Sequence, residues 1–205
     1  LTRLTGGFFG SQIPEDAQAV IGHAPAALEA AIRARAQGQQ GVRYSYARDG
    51  DTLTVTALGV SAHSSKPEDG VNAISMLADA LAVQPWQGTQ AADMLSFLNE
   101  LVGTGIHGER FGQIAYRDGF MGPMTVAPTV LKQQRGELEL NINVRRPQGK
   151  TAALLRQQVT AAFDGWKGRR QVPATLQAQI GEPWLQTGAP QIPTLLSVFA
   201  HYTGV

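Results

Sequence analysis

Apolar and polar positions alternate most clearly in the stretch VRYSYARDGDTLTVTALG. Val42, Tyr44 and Tyr46 recur at every second position, RDGD interrupts them, and Leu53, Val55 and Ala57 resume the pattern. A period of two belongs to a strand buried on one face. The stretch therefore predicts a hairpin, with Asp49-Gly50 as its tight turn because both residues tolerate positive φ. A second strand–turn–strand is predicted from Val126 to Leu131 and from Leu138 through Leu140, Ile142 and Val144, with a turn near Arg135-Gly136. Short strands are predicted at AQAVIG (17–22), QIAY (113–116) and QVPATLQAQI (171–180).

Spacing of three to four marks the helices. APAALEAAIRARAQG has Leu28 and Ile32 on one stripe, Pro25 at its start and Gly38 at its end. PEDGVNAISMLADALAV puts Val71, Ile74, Leu77, Ala78 and Leu81 on one side. Further helices are predicted over AADMLSFLNELVG, KTAALLRQQVTAAFDGW and QIPTLLSVFAHYTG. The order is β-α-β-β-α, a looped middle rich in glycine, then β-β-α-β. No βαβ alternation runs throughout and no phosphate-binding glycine fingerprint appears, which argues against a dinucleotide fold. The expected fold class is α+β, an antiparallel sheet with helices on one face. The two halves could be distant structural repeats.

Composition narrows the function classes. The 205 residues carry 17 Lys+Arg against 16 Asp+Glu, a net charge of +1. That balance, with scattered basic residues, points to neither nucleic acid nor a membrane surface as a partner. There is no cysteine, so disulfide and thiolate chemistry are excluded, and either a reducing or an oxidising compartment fits. A cytoplasmic location is expected, with the periplasm as the alternative. Both ends look cut from something longer.

Four histidines, His23, His63, His107 and His201, are dispersed without HxxxH, HxH or HxD spacing. No metal site is expected within the chain. Ser61, Ser64 and Ser65 surround His63, but no G-x-S-x-G elbow is present. Ser65, just before Pro67, is expected to cap the following helix. His63 itself lies between a strand end and a Pro/Gly-punctuated helix start, with no acidic residue within three positions. An imidazole at the mouth of a loop can donate a hydrogen bond to a developing oxyanion. In LELNINVRRP, the even residues from Leu138 to Val144 are expected to face the core, which puts Asn141, Asn143 and Arg145 on the other face. An arginine there can clamp a carboxylate through two parallel hydrogen bonds.

Together these segments resemble a known family. GVSAHSSKPEDGVNAI follows the pattern G-x-x-A/S-H-x-S/A-x-P-x-x-G-x-N-A of the inserted domain in the di-zinc aminoacylase/carboxypeptidase superfamily, which includes acetylornithine deacetylases and succinyl-diaminopimelate desuccinylases. Gly59, Ala62, His63, Pro67, Gly70, Asn72 and Ala73 all match. IPEDAQAVI, the M-G-x-x-T of MGPMT, the strand end LNINVRRPQG and GEPWLQTGAPQIPTLLSVFAHYTG resemble segments of the PepV-like dipeptidases in the same order.

The resemblance implies a ferredoxin-like lid or dimerisation domain over residues 1–178, with residues 179–205 returning toward a catalytic domain. Two zinc ions and the general base would belong to that domain, outside this chain, and a zinc-bound hydroxide would attack the peptide carbonyl. His63 would stabilise the oxyanion, and Arg145 would bind the terminal carboxylate of a dipeptide or short peptide. Ser11 stands where related lids often have asparagine, as does Ala127, and Arg146 replaces an aromatic. The partners implied are the enzyme's own catalytic domain and a peptide, with a dimer possible. A dimerisation or interaction module without catalytic role is the alternative. The long middle, residues 85–123, favours the lid. The isolated chain is expected to be inactive.

Overall fold

The computed structural model describes residues 1–185 and 188–204. Alternation at residues 43–58 produces the predicted hairpin: β4 (Arg43–Asp49) pairs antiparallel with β5 (Thr52–Leu58). Leu53, Val55 and Ala57 are fully buried, while the threonines between them face outward. The turn slides one residue from the prediction. Asp49 pairs with Thr52, so Gly50 and Asp51 are the central residues, and only Gly50 takes positive φ, +57°. A glycine at the first central position suits the twist of a two-residue hairpin.

β5 continues into a six-stranded sheet. β1 (Arg3–Gly6), β3 (Asp16–Ile21), β9 (Thr125–Gln134) and β10 (Glu137–Arg145) complete the order β10-β9-β1-β3-β5-β4, every pairing antiparallel. The second predicted hairpin thus supplies β9 and β10, turning at Arg135 and Gly136. β1 escapes sequence reading because four residues with one buried leucine, Leu4, carry no periodic signal.

Helices cover one face, as expected for an α+β chain. α1 (Ala26–Gln37) packs on α2 (Ala73–Ala80), α2 lies across β3 and β5, and α3 (Gln90–Phe97) crosses β10. α3 runs into a π-turn at Leu98–Val102, and α4 (Ala152–Arg170) lies over that turn. Phe97 makes edge-to-face contacts with Phe111, Phe163 and Trp166 at centroid distances of 5.8, 6.2 and 5.2 Å. Such pairs contribute roughly 0.5–1.5 kcal/mol each beyond area burial. α5 (Ile192–Thr203) buries none of its residues. No helix among the described residues is long and apolar enough to cross a membrane.

Several predicted elements are corrected. The helix over residues 67–83 shrinks to a 3₁₀ turn at Pro67–Asp69 followed by α2. Gly70 is extended between them, and Val71 bridges to Val60 instead of joining the helix. The cap is Asn72, whose side chain accepts from the Ser75 amide at 3.2 Å, and not Ser65. QIAY is not a strand, because side chains occupy its carbonyls: Lys150 donates to those of Gln113 and Ile114. The short ladder nearby is β7 (Arg117–Asp118) with β8 (Gly122–Pro123). Residues 171–180 are irregular. Pro173 offers no N–H to a ladder, and Val172, Ala174 and Ile180 pack on the core instead. Val144 keeps the expected face yet is 40% exposed, because alternation chooses a face without guaranteeing anything covers it. Within the segment expected to return toward a catalytic domain, Gln186, Thr187 and Val205 lie outside the described residues.

Candidate functional site

β10 ends at Arg145, opposite Thr125 of β9. Between these ends and the hairpin turn the register shifts: Asn141 faces Val130, and Ile142 faces Pro128. Thr129 is the extra residue of this bulge, and Pro128 could not have donated to a regular ladder. Thr129 closes the gap with its own hydroxyl, which donates to the Asn141 carbonyl at 3.2 Å. Beyond the bulge, Arg145, Asn143, Thr125 and Ala127 share one face, opposite Val126 and Val144.

That face is covered by a short ribbon, β2 (Gln12–Ile13) paired with β6 (Ala62–His63). The loop leading into β2 begins at Gly7, where φ is +67° and a Cβ would stand 2.0 Å from the Thr129 carbonyl oxygen. Only glycine lets the chain pass this close to β9. Asn143 donates to the Gly10 carbonyl at 2.9 Å and pins the same loop. The residue pattern around His63 has structural reasons of its own. Gly59 passes the Val71 carbonyl where a Cβ would be 2.0 Å away, Asn72 caps α2 and donates to the Pro128 carbonyl at 2.8 Å, and Ala73 is fully buried.

His63 is exposed, and its Nδ1 accepts from the Ser65 amide at 3.3 Å and from the Ser65 hydroxyl at 2.7 Å. With Nδ1 as acceptor, the neutral ring carries its proton on Nε2, an assignment that follows from the hydrogen-bond network. Nε2–H is therefore the donor available outside the domain. Among the described residues no carboxylate is bonded to His63, so Ser65 and His63 lack the third group of a nucleophilic triad.

Ser64 joins the pieces. It is 1% exposed, its amide donates to the Ser11 carbonyl at 2.9 Å, and its carbonyl accepts from Thr125 at 3.4 Å. Its hydroxyl accepts from Arg145 Nη2 at 3.4 Å. Ser11, the His63 turn and the end of β10 thus converge at one end of the sheet. Ser11 takes part through its backbone, with an exposed side chain. Ala127 is buried beside Asn143 and offers no polar group. Arg145 is exposed and makes no ion pair among the described residues. Its neighbour Arg146 turns the other way, with a side chain only 8% exposed. Ser64 has no motif of its own, and although Thr125 ends the M-G-x-x-T segment and Asn143 shares the Arg145 face in sequence, nothing in the sequence foretells that Thr125 meets Ser64 or that Asn143 pins the Gly10 loop.

Among the described residues no three His, Asp or Glu lie close enough to hold a metal ion. The donor set that zinc needs is not offered by this site, which presents one exposed imidazole and one guanidinium.

Two comparisons bear on the arrangement. The family model described as peptidase dimerisation domain matches residues 48–165. A Beta-Ala-Xaa dipeptidase from Lactobacillus delbrueckii subsp. lactis is 28% identical over 162 residues, covering 78% of this chain. The aligned stretch makes up 33% of that enzyme, so the chain spans about a third of the length of this curated relative.

Proposed function

Since the chain belongs to the peptidase dimerisation domain family, we propose that it is the lid of a larger metallopeptidase that hydrolyses dipeptides or short peptides. Residues 1–178 form the lid, and residues 179–205 lead back toward a catalytic domain outside this chain. The lid presents His63 to the oxyanion of the tetrahedral intermediate and Arg145 to the substrate's terminal carboxylate. The observation that carries this reading is the buried hydroxyl of Ser64, which ties the guanidinium of Arg145, without an ion pair among the described residues, to the turn holding His63. Two groups of complementary use, an oxyanion donor and a carboxylate clamp, are then held in fixed relation. Any zinc belongs to the catalytic domain, where it would polarise the scissile carbonyl.

The full-length parent is expected to hydrolyse dipeptides in a metal-dependent manner, and the 205-residue chain alone to show no turnover. Assaying both with a small dipeptide panel checks this. A parent without peptide-bond hydrolysis overturns the proposal.

The family description favours a second reading, a domain that pairs with its own copy. β4 is an edge strand, and its unpaired backbone groups are a template for another strand. Sedimentation of the chain over a wide concentration range separates the two. The lid reading expects a monomer, and a tight symmetric dimer would favour pairing through the edge.

A further inference from the structure

We propose that the cleft at the N-terminus of α4 is an oxyanion cradle that the chain fills with the carboxylate of Glu182, and that a soluble oxyanion displaces this carboxylate and frees the segment that leaves the domain. The exchange involves only residues of this chain and does not require the peptidase reading.

α4 is 19 residues long, so its first amides carry the full effect of the helix dipole. Thr151 caps it by accepting from the Leu154 amide at 3.1 Å, which leaves the Ala152 amide to an outside acceptor. That acceptor is Glu182 Oε1, at 3.3 Å. The other oxygen, Oε2, lies 3.3 Å from Arg146 Nη2. Arg146 also donates to the backbone carbonyls of Gly181 and Lys150. Its Nε–H is buried and has no acceptor among the described residues.

A buried guanidinium donor without a partner costs free energy, so the carboxylate leaves the cradle incompletely satisfied. Glu182 is itself 68% exposed, and both of its contacts are long for charge-assisted hydrogen bonds. The occupant is loosely held in an open cleft of about 270 Å³ bordered by Gly149, Lys150, Thr151 and Pro183. A tetrahedral oxyanion carries more acceptor atoms than a carboxylate. It can take the Ala152 amide, Nη2 and the idle Nε together.

Lys150 adds positive charge nearby, although its ammonium is turned to the carbonyls of Gln113 and Ile114 and to Gln158. The segment packs on the core through Ile180 and is held by side-chain hydrogen bonds at three points: Ala178, whose carbonyl accepts from Arg156 at 2.6 Å, Gly181 and Glu182. Removing the last contact loosens the part of the chain nearest to whatever follows. Arg145 and Arg146 then divide the end of β10 between two tasks, one outward on the His63 side and one inward on the departing segment.

The test uses the 205-residue chain with inorganic phosphate at constant ionic strength, read by hydrogen exchange of the Ala152 amide and of residues 178–183. Phosphate is expected to speed exchange over residues 178–183 of the wild type by roughly two- to fivefold, the scale of an exposed ion pair, while Ala152 stays protected. E182Q should show the faster exchange without phosphate and bind phosphate more tightly than the wild type, because its competitor is gone. R146M should lose the phosphate response. R146K, which keeps the charge but not the planar fork, should weaken it if R146M fails to fold. Equal exchange in wild type and E182Q overturns the latch. A phosphate response that persists in R146M and R146K means an adventitious ion only.

Discussion

His63→Ala in the full-length parent is expected to lower turnover by roughly two to three orders of magnitude, the usual loss when a single oxyanion donor is removed. The expectation rests on the orientation of the ring. Ser65 engages Nδ1 through both its amide and its hydroxyl, which leaves Nε2–H as the outward donor. A hydrogen bond that tightens only as the carbonyl oxygen becomes an oxyanion raises kcat without raising substrate affinity. KM should therefore move far less than kcat. The side chain is exposed and outside the core, so the variant's melting temperature should stay close to the wild type's. Steady-state kinetics of the variant against a dipeptide decides it, and unchanged turnover would sink the proposed role.

Arg145→Met should act on the other end of the substrate. A charge-assisted hydrogen bond contributes roughly 1.5–3 kcal/mol, which corresponds to about a 10- to 150-fold loss in kcat/KM. The loss should fall on peptides with a free terminal carboxylate and be much smaller on the corresponding amides. Arg145→Lys should recover only part of it, because an ammonium cannot match the two oxygens in parallel. The prediction attaches to Arg145 and not to Arg146. Arg146 is committed to Gly181, Lys150 and Glu182, and its side chain is nearly buried. Equal losses on acid and amide substrates would remove the carboxylate clamp from the account.

Much of the architecture was legible from local pattern. Two hairpins, the helices α1, α4 and α5, the first turns of α3 and the α+β class follow from periodicities of two and three to four, because side-chain direction is set by backbone geometry within each element. Asn72 shows where local reading fails. PEDGVNAISML reads as one helix by its apolar spacing, yet Gly70 is extended and Val71 bridges to Val60. Tertiary pairing outweighs helix propensity over those first residues. The irregular residues 171–180 fail in the opposite sense: their composition suits a strand, but Pro173 lacks an N–H and no ladder among the described residues receives them.

By itself, the sequence determined the family resemblance, the lack of any cysteine chemistry and the positions of His63 and Arg145. These depend on residue identity and on spacing within single segments. Only the tertiary structure decided that Ser11, Ser64, Thr125 and Arg145 meet at one end of the sheet, and that of two adjacent arginines one is exposed and the other nearly buried. The reason is range. Arg145 and Ser64 are 81 residues apart in the chain and come together only because β9 and β10 lie in the same sheet as β1, under the β2–β6 ribbon. Contacts of that separation leave no periodicity to read, so they emerge only when the long loops close.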